Sequence, residues 1–203
     1  MKVAVVGASG RAGSEIVAEL VRRGHTVTGI ARHPEKIADL PGVTAKAGDV
    51  KDGAALAALL EGHDAVVTAV MFSDSDPQTL IGAVKASGAK RYLVVGGAGS
   101  LEVAPGVRLI DTPEFPAIYK TEASRGAAFL DALRAEPALD WTFLSPSALF
   151  FIGERTGKFR LGGDQLLATA DGKSSISYAD YAIALVDEIE KPAHRRRRFT
   201  VGY

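Results

Sequence analysis

The chain contains no cysteine, which excludes disulfides, thiolate nucleophiles and cysteine-ligated metals together. It has no net charge either. Its 24 Lys plus Arg balance 24 Asp plus Glu, so neither nucleic acid nor an anionic membrane would find a field to follow. Long apolar runs are missing as well: no segment approaches the roughly 18 apolar residues of a membrane span. Val3 to Val6 is too short for the core of a signal peptide before Gly7 interrupts it. A cytoplasmic protein is therefore expected. The four histidines, His25, His33, His63 and His194, show no ligand spacing, and no metal site is expected. Aromatic residues make up only 7% of the chain, with a single Trp, and 47% of it is hydrophobic. That composition is globular, and 203 residues suffice for one domain with a sizeable core.

The residues that are present alternate. Short apolar strand candidates are Val3 to Val6, Thr26 to Ala31, Val43 to Ala47, Ala65 to Val70, Tyr92 to Val95 and Trp141 to Leu144. Helical spacings of three and four run through Ala12 to Arg23, Pro34 to Leu40, Gly53 to Leu60, Pro77 to Ser87 and Lys120 to Ala135. This order predicts an α/β fold, a doubly wound parallel sheet of Rossmann type with helices on both faces. Gly24, Gly62 and Gly88 fall where left-handed helix caps are wanted. From Pro146 the rhythm breaks into short pieces, Lys158 to Leu161 and Ser174 to Ser177, so residues 146–177 read as a small substrate-side lid within a single domain, 1–203. A last helix, Tyr178 to Glu190, and a strand, Arg197 to Val201, follow. The basic run from His194 to Arg198 reads as a turn with local ion pairs, with Glu188 and Glu190 close by.

The stretch from Val3 through Gly13 gives a strand, glycines at intervals of three, then a helix, the context that makes such a pattern a dinucleotide-binding signal. Gly7 would permit the tight turn, Gly10 a close approach of backbone to pyrophosphate, and Gly13 close packing of helix on strand. Ala8, Ser9, Arg11 and Ala12 complete the turn, whose free amides and helix dipole favour phosphate. After the second strand comes Arg32 rather than a carboxylate. A carboxylate there would repel a 2'-phosphate, whereas a guanidinium fork suits one. NADP(H) is thus expected in preference to NAD(H), with Arg11 as a second cation. Asp49 and Val50 would lie beside the adenine, and Ala69 and Val70 would form a small apolar wall beneath the riboses.

The proton relay of conventional short-chain reductases, a tyrosine with a lysine four residues on, is missing: no tyrosine has that neighbour. Tyr119 with adjacent Lys120 is the nearest substitute, although neighbours on a helix diverge by about 100 degrees. Ser100, after Gly96 and Gly97 at the end of the fifth strand, would reach into the crevice where α/β sheets bind ligands. Gly97, Ser145 and Pro146 would by the same geometry border the nicotinamide.

The segments GASGRAGS at 7–14, VVGGAGSLEVAPG at 94–106, DTPEFP at 111–116 and RTGKFRLGGDQLL at 155–167, with the C-terminal run from Ile176 to Tyr203, resemble the NADH-flavin reductase branch of the atypical short-chain dehydrogenases. That branch is related to biliverdin reductase B and the nitrogen-metabolite-repressor-like (NmrA-like) proteins. The resemblance implies a Rossmann core, a nicotinamide dinucleotide, and hydride transfer to a flavin (FMN or FAD), a quinone or another conjugated small molecule. Such acceptors delocalise the incoming charge, so the missing relay is no obstacle. Phe72, Phe115 and Phe150, with Phe151, are candidate walls for the acceptor ring, Phe115 foremost. The alternative is an NADP-binding redox sensor without turnover. An epimerase or dehydratase is less consistent, since those enzymes generally use the absent relay. A small-molecule substrate is the expected partner, and a homodimer stays an open option.

Overall fold

The computed structural model describes all residues, 1–203. Its main sheet has eight strands in the spatial order β10-β12-β8-β5-β4-β1-β2-β3. These are β1 Lys2–Val6, β2 Thr26–Ala31, β3 Val43–Ala47, β4 Ala65–Thr68, β5 Arg91–Val95, β8 Trp141–Pro146, β12 Arg197–Gly202 and the edge strand β10 Arg160–Gly162. All neighbours pair in parallel except β10, which runs antiparallel to β12. The doubly wound parallel sheet expected from the sequence is therefore the fold.

The reason lies in how β1 divides its side chains. Val3 and Val5 enter one core layer with Ile16 and Leu20 of α1 (Arg11–Arg22) and Tyr181 and Leu185 of α5 (Tyr178–Glu190). Ala4 and Val6 enter the opposite layer with Leu56 of α2 (Gly53–Leu60), Leu80 of α3 (Pro77–Ser87) and Phe129 of α4 (Lys120–Arg134). A strand covered on both faces must be apolar throughout, which is why these strands read as runs rather than alternations. Gly24, Gly62 and Gly88 all take left-handed φ angles, as the cap reading requires.

Several boundaries differ from the sequence reading. Pro34 to Leu40 is no helix: only Pro34–Lys36 forms a 3-10 turn, and Ile37 turns extended. Its side chain tucks under Gly29, where an added Cβ would sit 3.2 Å from it. One turn cannot offset helix nucleation when the next side chain gains more by burial. The fourth strand stops at Thr68, leaving Ala69 and Val70 free to face the crevice, while β8 continues through Pro146 because β12 pairs alongside it.

Residues 146–177 form neither a βαβ unit nor a free-standing flap. They are inserted between β8 and α5, and they supply β10 to the sheet and β9 (Leu149–Phe151), which pairs with β11 (Ser175–Ser177). A further hairpin, β6 (Glu102–Ala104) with β7 (Val107–Arg108), was not expected. The insertion is pinned from behind. Arg155 donates twice to Glu19 of α1 at 3.0 Å, and Thr156 Oγ1 and the Gly157 amide donate to buried Asp180 of α5 at 2.5 and 2.8 Å.

Three of the five residues of the basic run are paired, and Arg196 and Arg197 make no ion pair. Arg195 meets Asp140, Arg198 donates to Asp164 at 2.8 Å, and His194 meets Glu188 at 2.9 Å while stacking on Phe199. Glu190, expected nearby, instead faces Arg23 and His25 at 2.8 and 2.9 Å.

Candidate functional site

The strand order reverses direction between β1 and β4, and a crevice opens there at the carboxyl ends of the strands, where open α/β sheets bind ligands. A cavity of about 210 Å³ occupies it, lined by Gly7, Ser9 and Gly10 of the turn, Arg32 after β2, Asp49, Val50 and Lys51 after β3, and Ala69, Val70 and Met71 after β4.

The turn owes its shape to its glycines. Gly7 takes φ +85°, and a Cβ on it would lie 2.3 Å from the Ala69 carbonyl oxygen; one on Gly13 would lie 2.1 Å from the Gly7 oxygen. Gly10 is different, with φ −78° and its nearest neighbour 3.2 Å from such a Cβ. Its lack of a side chain serves the cavity more than the fold. The Gly7 and Ala8 amides both donate to the Ile30 carbonyl, at 2.8 and 3.2 Å, tying the turn to β2. The amides of Ser9, Arg11, Ala12 and Gly13 have no acceptor within the protein, and no side chain caps α1. Unsatisfied donors at a helix start beside a groove that a Cβ would fill are the donor set a pyrophosphate needs.

The residues named from the sequence distribute unevenly around this cavity. Ala8 and Ala12 shape the turn but turn their methyl groups to the core, against which both pack. Arg11 is exposed and outside the cavity lining; Lys51 is the cation that joins Arg32 there. The correction has a geometric origin, because a side chain at the first position of a helix swings outward, while the ends of β2 and β3 lie side by side. Lys51, two residues beyond Asp49, was legible only once that strand pairing was known. Its amide donates to Asp49 Oδ1 at 3.0 Å, so the Asp49 carboxylate also shapes the local turn.

A second, larger cavity of about 720 Å³ lies on the other side of β4. Phe72, Gly97, Ser100, Phe115, Tyr119, Pro146 and Phe150 all line it, and with Leu166 and the stretch from Gly172 to Tyr178 the lining draws on six separate stretches of chain. The two cavities adjoin at Met71 and Phe72, consecutive residues that line one each. Phe72 is largely committed to the core, its ring 5.4 Å from Phe129 and 6.0 Å from Phe143. Phe150 packs against Tyr178 with ring centroids 4.0 Å apart and planes tilted by 45°; Tyr178 also lines the cavity, which the sequence did not suggest. Phe115 is the half-buried wall, and Phe151 lies outside the lining.

Two sequence expectations fail here. Tyr119 faces the cavity, but Lys120 opens on a separate hollow with Arg108 and Asp111, so the pair does not converge. The helical rotation between neighbours is the cause. Ser145 is fully buried, outside the lining, and its Oγ has no hydrogen-bond partner. Ser100 is at the cavity, and Nη1 of Arg198 donates to its Oγ at 3.0 Å. Since a guanidinium cannot accept, the Ser100 hydroxyl keeps its own hydrogen to donate elsewhere. Glu122, unforeseen, also lines the cavity and accepts from the amides of Phe72 and Ser73 at 2.7 and 2.8 Å, fixing the loop after β4 against α4.

The remaining internal tyrosines are unsuited to proton transfer. Tyr92 and Tyr181 are fully buried and raised well above the ordinary phenol range by that burial; Tyr181 donates to the Leu144 carbonyl at 2.7 Å. No group of three or more His, Asp or Glu side chains is placed to hold a metal ion, and no helix is long and apolar enough to cross a membrane.

A family model described as NAD(P)H-binding matches residues 7–192. A protein of Burkholderia pseudomallei, provisionally described as exported, is 44% identical, with each chain wholly covered and a TM-score of 0.91. The uncharacterised protein YwnB of Bacillus subtilis is 43% identical over 99% of this chain and 98% of its own length. A Streptococcus pneumoniae protein that carries the provisional name of NADH-flavin reductase is 41% identical, covering 100% of this chain and 99% of that one, with a TM-score of 0.84.

Proposed function

Since the chain belongs to the NAD(P)H-binding family, we propose that it is an NAD(P)H-dependent reductase of a conjugated small molecule, a flavin or a quinone. The observation that carries this reading is the pair of adjoining cavities: one offers free amides and cations, the other aromatic and aliphatic walls. The Streptococcus pneumoniae relative's provisional name points the same way.

The amides of Ser9, Arg11, Ala12 and Gly13 would hold the pyrophosphate, and Arg32 with Lys51 a 2'-phosphate. Bound there, a reduced nicotinamide supplies hydride. The chain's own part is to hold a flat acceptor between Phe115 and the Phe150–Tyr178 pair and to exclude water from the contact. Ser100 would donate a hydrogen bond to a ring carbonyl, which gains negative charge as the acceptor is reduced. No buried acid is required, because the charge spreads through the conjugated system.

Steady oxidation of NADPH with riboflavin or a naphthoquinone tests this directly. Tight cofactor binding with no turnover across a panel of such acceptors would refute it and favour a sensing role. Replacing Tyr119 with Phe separates this chemistry from carbonyl reduction. Hydride transfer to a conjugated ring should change by less than about threefold, whereas loss of a general acid would lower kcat by about 10²- to 10⁴-fold.

Cofactor choice has its own test. Arg32→Glu should weaken NADPH binding by about 10- to 100-fold, since a new carboxylate would oppose the 2'-phosphate, and should leave NADH within a few-fold. Equal losses for both in a binding titration would count against the preference for NADP(H).

A further inference from the structure

Resting on the reading of the larger cavity as the acceptor site, we propose that the acceptor is uncharged, a riboflavin-like or simple quinone ring, and that phosphorylated flavins such as FMN and FAD are discriminated against. Of the 25 residues lining the cavity, none is Lys, Arg or His, while Glu114 and Glu122 are carboxylates. The dinucleotide cavity, by contrast, is lined by both Arg32 and Lys51. The acceptor cavity's volume of about 720 Å³ suits a drug-sized ring system, for which roughly 300–1,000 Å³ is usual.

Four of the five cations that adjoin this lining are engaged elsewhere. Arg108 pairs with Asp111 at 2.7 Å, Lys173 with Asp171 at 2.8 Å, and Arg125 donates to the Ser73 carbonyl at 2.6 Å. Lys120 opens on the separate hollow, and Arg198, which reaches Ser100 from behind, is held by Asp164 at 2.8 Å. Two helices begin near the cavity, and each carries an acid in its first turn, Glu122 in α4 and Asp180 in α5. Those carboxylates occupy the positive dipole ends that would otherwise attract a phosphate. A phosphate entering here would meet the exposed Glu114 carboxylate and the amide-bound Glu122, and no fork to receive it.

The test is a fluorescence titration of riboflavin and FMN against the full chain saturated with NADP+, with NADPH oxidation by both flavins measured in parallel. Riboflavin should bind at least about tenfold more tightly. Equal or tighter binding of FMN, or failure of both flavins to bind, overturns the proposal. Turnover with FMN as fast as with riboflavin, together with equal binding, would leave the reductase reading intact while removing the charge selection. Tighter riboflavin binding with no turnover would do the reverse. Glu114→Lys, a change at an exposed position, should raise FMN affinity relative to riboflavin by about fivefold, and an unchanged ratio would show that charge does not set the preference.

Discussion

Gly10→Ala should leave the protein folded yet lower its affinity for either nicotinamide dinucleotide by about a hundredfold, or roughly 2.7 kcal/mol. The backbone there takes φ −78°, which alanine adopts freely, and the new Cβ would meet the Gly7 oxygen at 3.2 Å and, at an ordinary contact distance of 3.9 Å, the Ala69 oxygen. The closer contact needs an adjustment of tenths of an ångström, and loss of glycine at the N-cap should keep the cost to the fold near 1 kcal/mol. The methyl would instead stand where the pyrophosphate must approach the unsatisfied amides of Ser9 and Arg11 to Gly13. Gly7→Ala and Gly13→Ala are informative contrasts. Their Cβ atoms would lie 2.3 and 2.1 Å from carbonyl oxygens, so both should lose stability and binding together. A melting curve beside a titration with NADPH and NADH makes the comparison. Unaltered affinity in a folded Gly10→Ala protein would place the phosphates somewhere else.

Replacement of Glu19 by Gln should destabilise the protein by about 2–3 kcal/mol at neutral pH, lowering Tm by roughly 5–10 °C for a chain of this length. Glu19 lies in α1 with its side chain 2% exposed, and it accepts from Arg23 at 2.8 Å and from Arg155 at 3.0 Å, with Arg22 also paired to it. Removing a buried carboxylate leaves the guanidinium of Arg155 without its partner and loosens the insertion that supplies Phe150 and Ser174 to the larger cavity.

The same group gives a pH dependence of definite sign. Burial alone would raise the Glu19 carboxyl, but the hydrogen bonds from Arg155 and Arg23 outweigh it and hold it at about 2, against an ordinary 4.5. Between those values the unfolded chain binds the proton and the folded one does not. The stabilisation is therefore complete above about pH 4.5 and disappears as the pH falls towards 2. Urea unfolding at pH 7 and pH 3 should show the wild type losing more stability than Glu19→Gln over that interval. Parallel losses would mean that other carboxylates carry the acid sensitivity.

The strand-and-helix alternation, the parallel sheet and the glycine turn can all be read from the order of residues along the chain. These depend on short-range causes: apolar runs of strand length, helical spacing, and a left-handed φ that Gly7 adopts without strain. Gly53 to Leu60, Pro77 to Ser87 and Tyr178 to Glu190 were legible to the residue because an acidic or Ser cap and a following Gly or Pro bound them locally. Which side chains meet follows from the packing of one element on another. Lys51 rather than Arg11 joins Arg32 because β2 and β3 end side by side. Tyr119 and Lys120 part because the helical turn that runs from one into the other rotates consecutive side chains onto different faces. Ser100 is held by Arg198, 98 residues away, across a sheet edge that no spacing in the chain encodes. Periodicity fixes the direction of a residue within its own element, whereas the geometry between elements follows from packing, and the chemistry of a cavity built from six stretches belongs to the second kind of cause.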